Sequence, residues 1–173
     1  MPTGNITIYP DRDGYVARQA ESSWSDAREV TTGDTASQTI TLSSHGLRTS
    51  RTVGGRGAGW YVSRCFFSFD TSRIFDIPES ATLYFKGITN HAADDIWCVK
   101  ATRNIEAAIG PDDFDSIEGW DHDASNVMTG TNYAYPFTDW IVGGNVFTLR
   151  PTALVDIAGS DTFNVALLED RDI

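Results

Sequence analysis

The chain has 173 residues, 40% hydrophobic and 21% charged, which argues against disorder and leaves room for one packed core. Its formal net charge is −11, and only two of its thirteen bases are lysines, Lys86 and Lys100. Such a surface repels phosphate and argues against nucleic acid as a partner, and no apolar run is long enough to cross a bilayer. The acidity reads most simply as solubility and protection against self-association. The sharper alternative is electrostatic fit to a cation or a basic partner.

In chain order, residues 5–9 alternate Ile6 and Ile8 with polar neighbours, which predicts a first strand. Residues 11–14 (DRDG) have the composition of a turn, and residues 15–18 suit a short strand. Residues 22–34 form a polar excursion around Trp24, and residues 38–42 alternate again as a strand. Residues 45–59 are rich in Gly, Arg, Ser and Thr and predict a loop. His45, Arg48, Arg51 and Arg56 cluster there, either as plain loop residues or as an arm that orders against a partner.

Residues 60–70 (WYVSRCFFSFD) are the strongest strand pattern, with Cys65, Phe67 and Phe69 on one face and Arg64, Phe66 and Ser68 on the other. Further strands are expected at residues 81–88, 96–101, 133–137, 145–149 and 162–168. One helical turn is expected at residues 111–117, and the longest helix at residues 151–157, opened by Pro151 and capped by Gly159. Many short strands, glycine-rich turns and little helix predict one all-β domain over residues 1–173. The expected fold is an antiparallel, jelly-roll-like β-sandwich of roughly eight to ten strands with one or two short helices.

The run VSRCFFSFDTSRIFDIPESATLYFKG resembles the signature of DNRLRE-type β-sandwich modules. The positions that carry the resemblance are Arg64, Phe67, Phe69, Asp70, Pro78, Ala81 and Leu83. The opening YPDRDGYV is similar to the Asp-rich start of such modules. PDDFDSIEGW and FTLRPTALVDI resemble pieces of phage proteins that carry the domain. A tryptophan-glutamate motif common after the third core strand in those modules is not evident here, and the loop before Trp60 is unusually rich in Gly and Arg. The resemblance implies a fold akin to carbohydrate-binding jelly rolls and a structural or adhesive part of a virion. Partners would be capsid or tail proteins and further copies of the chain, with a host surface glycan as the alternative, on an adhesin. Fold alone does not choose between them.

Candidate chemistry is sparse. No GxSxG, HExxH or P-loop pattern occurs, and His45, His91 and His122 lie in polar or Gly-containing stretches. Acid groups such as Asp94 with Asp95, and Asp112 with Asp113 and Asp115, suit turns and a helix start, so the expectation is a protein that is not an enzyme. Asp11 and Asp13 could offer oxygen ligands to a structural calcium of the kind the similar modules hold near the chain start. Trp24, Trp60, Trp120 and Trp140 lie at or near expected loops, where they either stack on sugar or cap the ends of the sandwich; both readings stay open. Trp97 falls inside a strand. Cys65 and Cys98 sit in apolar runs, as two free thiols or as a disulfide pair. MPTGNITIYP has neither a basic nor an apolar signal region, so the chain is expected to be made in a cytoplasm and to reach a particle there. The stop after a strand leaves room for more chain in a longer protein.

Overall fold

The computed structural model describes residues 5–20, 23–38, 46–52, 59–88, 95–103, 108–122 and 128–173. Within these lie eight strands, β1 (Arg12–Ala20), β2 (Thr35–Ser37), β3 (Arg48–Thr52), β4 (Gly59–Asp70), β5 (Thr82–Gly87), β6 (Ile96–Lys100), β7 (Gly143–Thr148) and β8 (Thr162–Glu169). The helices are short: α1 (Trp24–Arg28), α2 (Pro151–Gly159) and 3-10 turns at Pro111–Asp113 and Asp170–Asp172. The fold is an all-β sandwich of two antiparallel sheets, as the sequence predicts.

The larger sheet is built around β4. Its twelve residues alternate cleanly, so both faces can be buried, and every residue from Val62 to Phe69 is. β1 runs antiparallel along the whole of one edge, from Arg12 opposite Ser68 to Ala20 opposite Trp60. The other edge is shared: β3 pairs with the first part of β4 and β8 with the last. β8 carries β6 on its far side, and β1 carries β2. The second sheet is the β5–β7 pair.

The sheets meet across one core. Phe67 and Phe69 of β4, with Val165 and Leu167 of β8, face Leu83 and Phe147 of the small sheet and Ala153, Leu154 and Ile157 of α2. Aromatic rings join the layers, with Phe67 4.8 Å from Phe85 and Tyr133 4.8 Å from Phe163 between ring centroids. The opposite face of the large sheet carries a second core of Val16, Val62, Phe66, Val99 and Leu168. Ala27 of α1 and Ile109, Phe114 and Ile117 of the following segment cover it.

Several local expectations change. Residues 5–10 hold no strand, because Ile6 has no apolar layer to meet and lies exposed; the strand starts at Arg12 instead. The expected DRDG turn is therefore largely part of β1, with Gly14 packed so closely on the Ser37 carbonyl that a Cβ would collide with it. The polar excursion contains α1, which Ser23 caps by accepting from the Asp26 amide at 3.1 Å. β2 lies three residues before the strand expected at 38–42, and residues 39–42 fall outside those described. β3 forms within the expected 45–59 loop. Residues 133–137 make single bridges, Ala134 to Leu149 and Phe137 to Ile96, in place of a strand. Those bridges link the edge of the large sheet to the edge of the small one.

Candidate interaction surface

The inner and outer faces of the β5–β7 pair differ sharply. Leu83, Phe147 and Asn145 point into the core and are buried. Alternation places Thr82, Tyr84 and Lys86 of β5, with Gly144, Val146 and Thr148 of β7, on the outside. Tyr84 stands directly across from Val146, and the two are 66% and 48% exposed. The Tyr84 ring lies over Gly144, where a Cβ would come within 2.8 Å of it. Glycine at 144 thus lets the ring lie flat on the sheet.

Ile88, Ile141 and Val142 extend this exposed apolar surface past the end of the strands. The turn bearing Ile141 and Val142 is held from beneath by Asn145, a fully buried amide. Its Oδ1 accepts from the Ile141 amide at 2.9 Å, and its Nδ2 donates to the Ile141 and Gly143 carbonyls at 2.9 and 3.2 Å. Gly143 follows at φ +123°, a backbone region that favours glycine. At the other end Arg150 stacks on the exposed Tyr135 ring, 5.0 Å from its centroid. Residues 82–88 and 128–150, which contain both strands, carry Lys86, Arg150 and a single carboxylate, Asp139. On a chain of net charge −11 this region is close to neutral.

The residues expected to bind are dispersed. Arg48 and Arg51 are exposed on β3, stacked on the Tyr61 and Trp60 rings at 5.3 and 5.2 Å. Trp24 meets Trp60 edge-on, with centroids 5.3 Å apart and planes at 63°. Arg56, His45 and His91 lie outside the described residues. Trp140 packs edge-on against Phe137. Trp120 covers the buried guanidiniums of Arg64 and Arg28, at 3.8 and 4.5 Å. All five tryptophans are half-buried, Trp97 included; of the four expected at loops, Trp24, Trp60 and Trp120 pack on the second core and Trp140 on the first.

Arg64 and Arg28 sit at the centre of the second core. Arg64 is fully buried between the Phe114 and Trp120 rings. It donates to Asp172 Oδ2 and Oδ1 at 2.7 and 2.8 Å, to the Phe114 carbonyl at 2.6 Å and to the Arg28 carbonyl at 3.0 Å. Arg28 donates in turn to the Asp172 carbonyl at 2.8 Å, and burial holds its pKa below the usual arginine value. The site therefore belongs to the packing of the chain.

A second polar cluster joins β6 to α2. Tyr133 donates to Asp156 at 2.6 Å, and Lys100 pairs with Asp156 at 3.0 Å and with Glu118 at 3.4 Å. Burial and the Asp156 carboxylate push the Tyr133 phenol well up. Hydrogen bonds to Thr131 hold Glu118 down, and the bond to Asp156 holds Lys100 up. Burial raises Asp156, but the bonds from Tyr133 and Lys100 outweigh it and leave its carboxyl low. These shifts lock each group in its ordinary charge state and move none toward proton transfer at neutral pH.

Asp11 is exposed just before β1, and Asp13 lies half-buried within β1, where burial raises its carboxyl. Among the described residues no three His, Cys, Asp or Glu side chains converge. His122 contacts the Glu29 carbonyl at 2.6 Å and Asp115 at 3.4 Å, tying its turn to α1. Cys65 and Cys98 are free and buried, and burial pushes both thiols up to about 12. They flank Leu167, so they stand two strand spacings apart, roughly 10 Å, beyond disulfide reach.

Comparison of the chain with family profiles, with curated proteins and with solved structures found no match.

Proposed function

We propose that this chain is a non-enzymatic assembly module of a phage-like particle, docking on a neighbouring virion protein through the outer face of its small sheet. The observation that carries the reading is the pair Tyr84 and Val146, set side by side on an uncovered sheet face and continued by Ile88, Ile141 and Val142. Apolar sheet faces are normally covered, and a contiguous exposed patch marks an interaction site. Its near-neutral surroundings remove the repulsion that the acidic remainder would impose on an acidic neighbour. The resemblance of the central run to DNRLRE-type modules supplies the virion setting.

The alternative, an adhesin stacking sugar on loop tryptophans, has less support. The four rings are half-buried and engaged edge-on or against guanidiniums. The test is co-sedimentation of the purified chain with particles stripped of it. Tyr84→Asp with Val146→Asp should abolish particle binding while the fold persists. Binding retained by that variant, or binding to a glycan array in place of particles, would overturn the reading.

A further inference from the structure

Residues 35–69 contain four arginines and not one carboxylate, so the remainder of the chain holds all 24 carboxylates against nine bases. This is the steepest charge contrast in the sequence. Arg64 is buried against Asp172, and Arg48 and Arg51 are the described arginines of this stretch that charge the surface. Arg48 and Arg51 stand exposed on β3, each resting on an aromatic ring of β4, Tyr61 and Trp60. Among the described residues neither guanidinium sits in an ion pair. Stacking holds them in place and leaves their N–H forks for an outside acceptor.

The chain itself carries a matching acceptor. The segment that covers the second core contacts β1 and bears exposed Asp112, which accepts from Thr32 at 3.3 Å, beside half-buried Asp113 and Asp115, which pair with Arg103 at 3.7 Å and His122 at 3.4 Å and keep their outer oxygens for a further cation. Net repulsion keeps two copies apart in most orientations. The orientation that brings the β3–β4 hairpin of one copy to the Asp112–Asp115 layer of the next is attractive instead. We infer that this chain self-associates head to tail, the Arg48–Arg51 hairpin of one copy docking on the acidic layer of a second copy. The two surfaces are different patches, so the contact is heterologous and leaves one of each free at the ends of a chain of copies. This contact uses neither Tyr84 nor Val146, so it is independent of the proposed particle-binding face.

The test is sedimentation velocity of the full chain at about 0.05 M and about 1 M salt, which shortens the screening length severalfold. Association should grow with concentration at low salt and weaken at least tenfold at high salt. R48E/R51E should be monomeric alone, with an unchanged circular dichroism spectrum, and should cap growth when added to the unmodified chain, because it keeps the acidic layer. An unmodified chain that stays monomeric at low salt would overturn the inference. So would association indifferent to salt or to R48E/R51E, or association lost in Tyr84→Asp and retained in R48E/R51E. Binding of a labelled single-stranded DNA by the hairpin with no self-association would assign these arginines to another partner.

Discussion

Asp172 meets Arg64 through two parallel hydrogen bonds, 2.7 and 2.8 Å long, and neither side chain is open to solvent. Two aromatic rings and two backbone carbonyls complete the guanidinium's surroundings. Removing one partner strands a buried charge. Asp172→Ala should cost about 3–5 kcal/mol, read from urea unfolding. The double variant Arg64→Met with Asp172→Leu should lose clearly less than the two single changes added together, since it removes both charges at once.

The two thiols set an alkaline limit. Their folded pKa of about 12 lies above the ordinary value of 9.0, so the unfolded chain ionises first. Stability from this source is fully present below pH 9 and falls as pH rises toward 12. Tyr133 and Lys100, both raised, add to the fall above pH 10. Unfolding free energy measured from pH 8 to 11 should decline, and more shallowly in Cys65→Ala with Cys98→Val once their neutral baselines are aligned.

Separation across Leu167 also predicts the redox state. Oxidant should leave Cys65 and Cys98 unlinked in the folded chain, and a thiol reagent should count two groups only after denaturant is added. Intact mass of the oxidant-treated chain under non-reducing conditions checks the first point. Reagent titration with and without urea checks the second.

Asn145 predicts a coupling between core and surface. Asn145→Ala removes three hydrogen bonds and leaves the Ile141 amide and the Ile141 and Gly143 carbonyls without them, at a cost of about 1–3 kcal/mol. Hydrogen exchange should rise selectively at residues 141–143, and particle binding should weaken with it. Val155→Ser, at an exposed position on α2, should change stability by no more than about 0.5 kcal/mol.

The parts of this fold legible in sequence are those whose side chains alternate between two apolar layers. β4 and β8 announce themselves because both faces are filled. β3 reads RTSRT and has no such pattern; it is a strand because β4 offers it an edge, and its charges keep that edge from pairing further. Residues 5–9 have the pattern but no sheet to join, so Ile8 packs on the first core without forming a strand and Ile6 stays exposed. The outer face of the small sheet shows the same limit from the other side. Tyr84 and Phe85 are adjacent aromatic residues in one strand, and only the position of the large sheet decides which is buried and which is presented. The tryptophans were ambiguous in sequence for a related reason: composition alone could not show that Arg64 and Arg28 lie against the Trp120 ring.

The order of strands in the large sheet has a consequence for synthesis of the chain. β8 lies between β4 and β6, so the sheet lacks an interior member until residue 169 has been made. β4, complete a hundred residues earlier, would otherwise expose Phe67 and Phe69 beside an empty edge. The main sheet therefore cannot close until β8 has emerged from the ribosome, and its folding waits on long-range pairing. Truncated products ending before β8 should be caught by chaperones or proteases, so the amount of folded protein reports how many chains have been translated past Glu169.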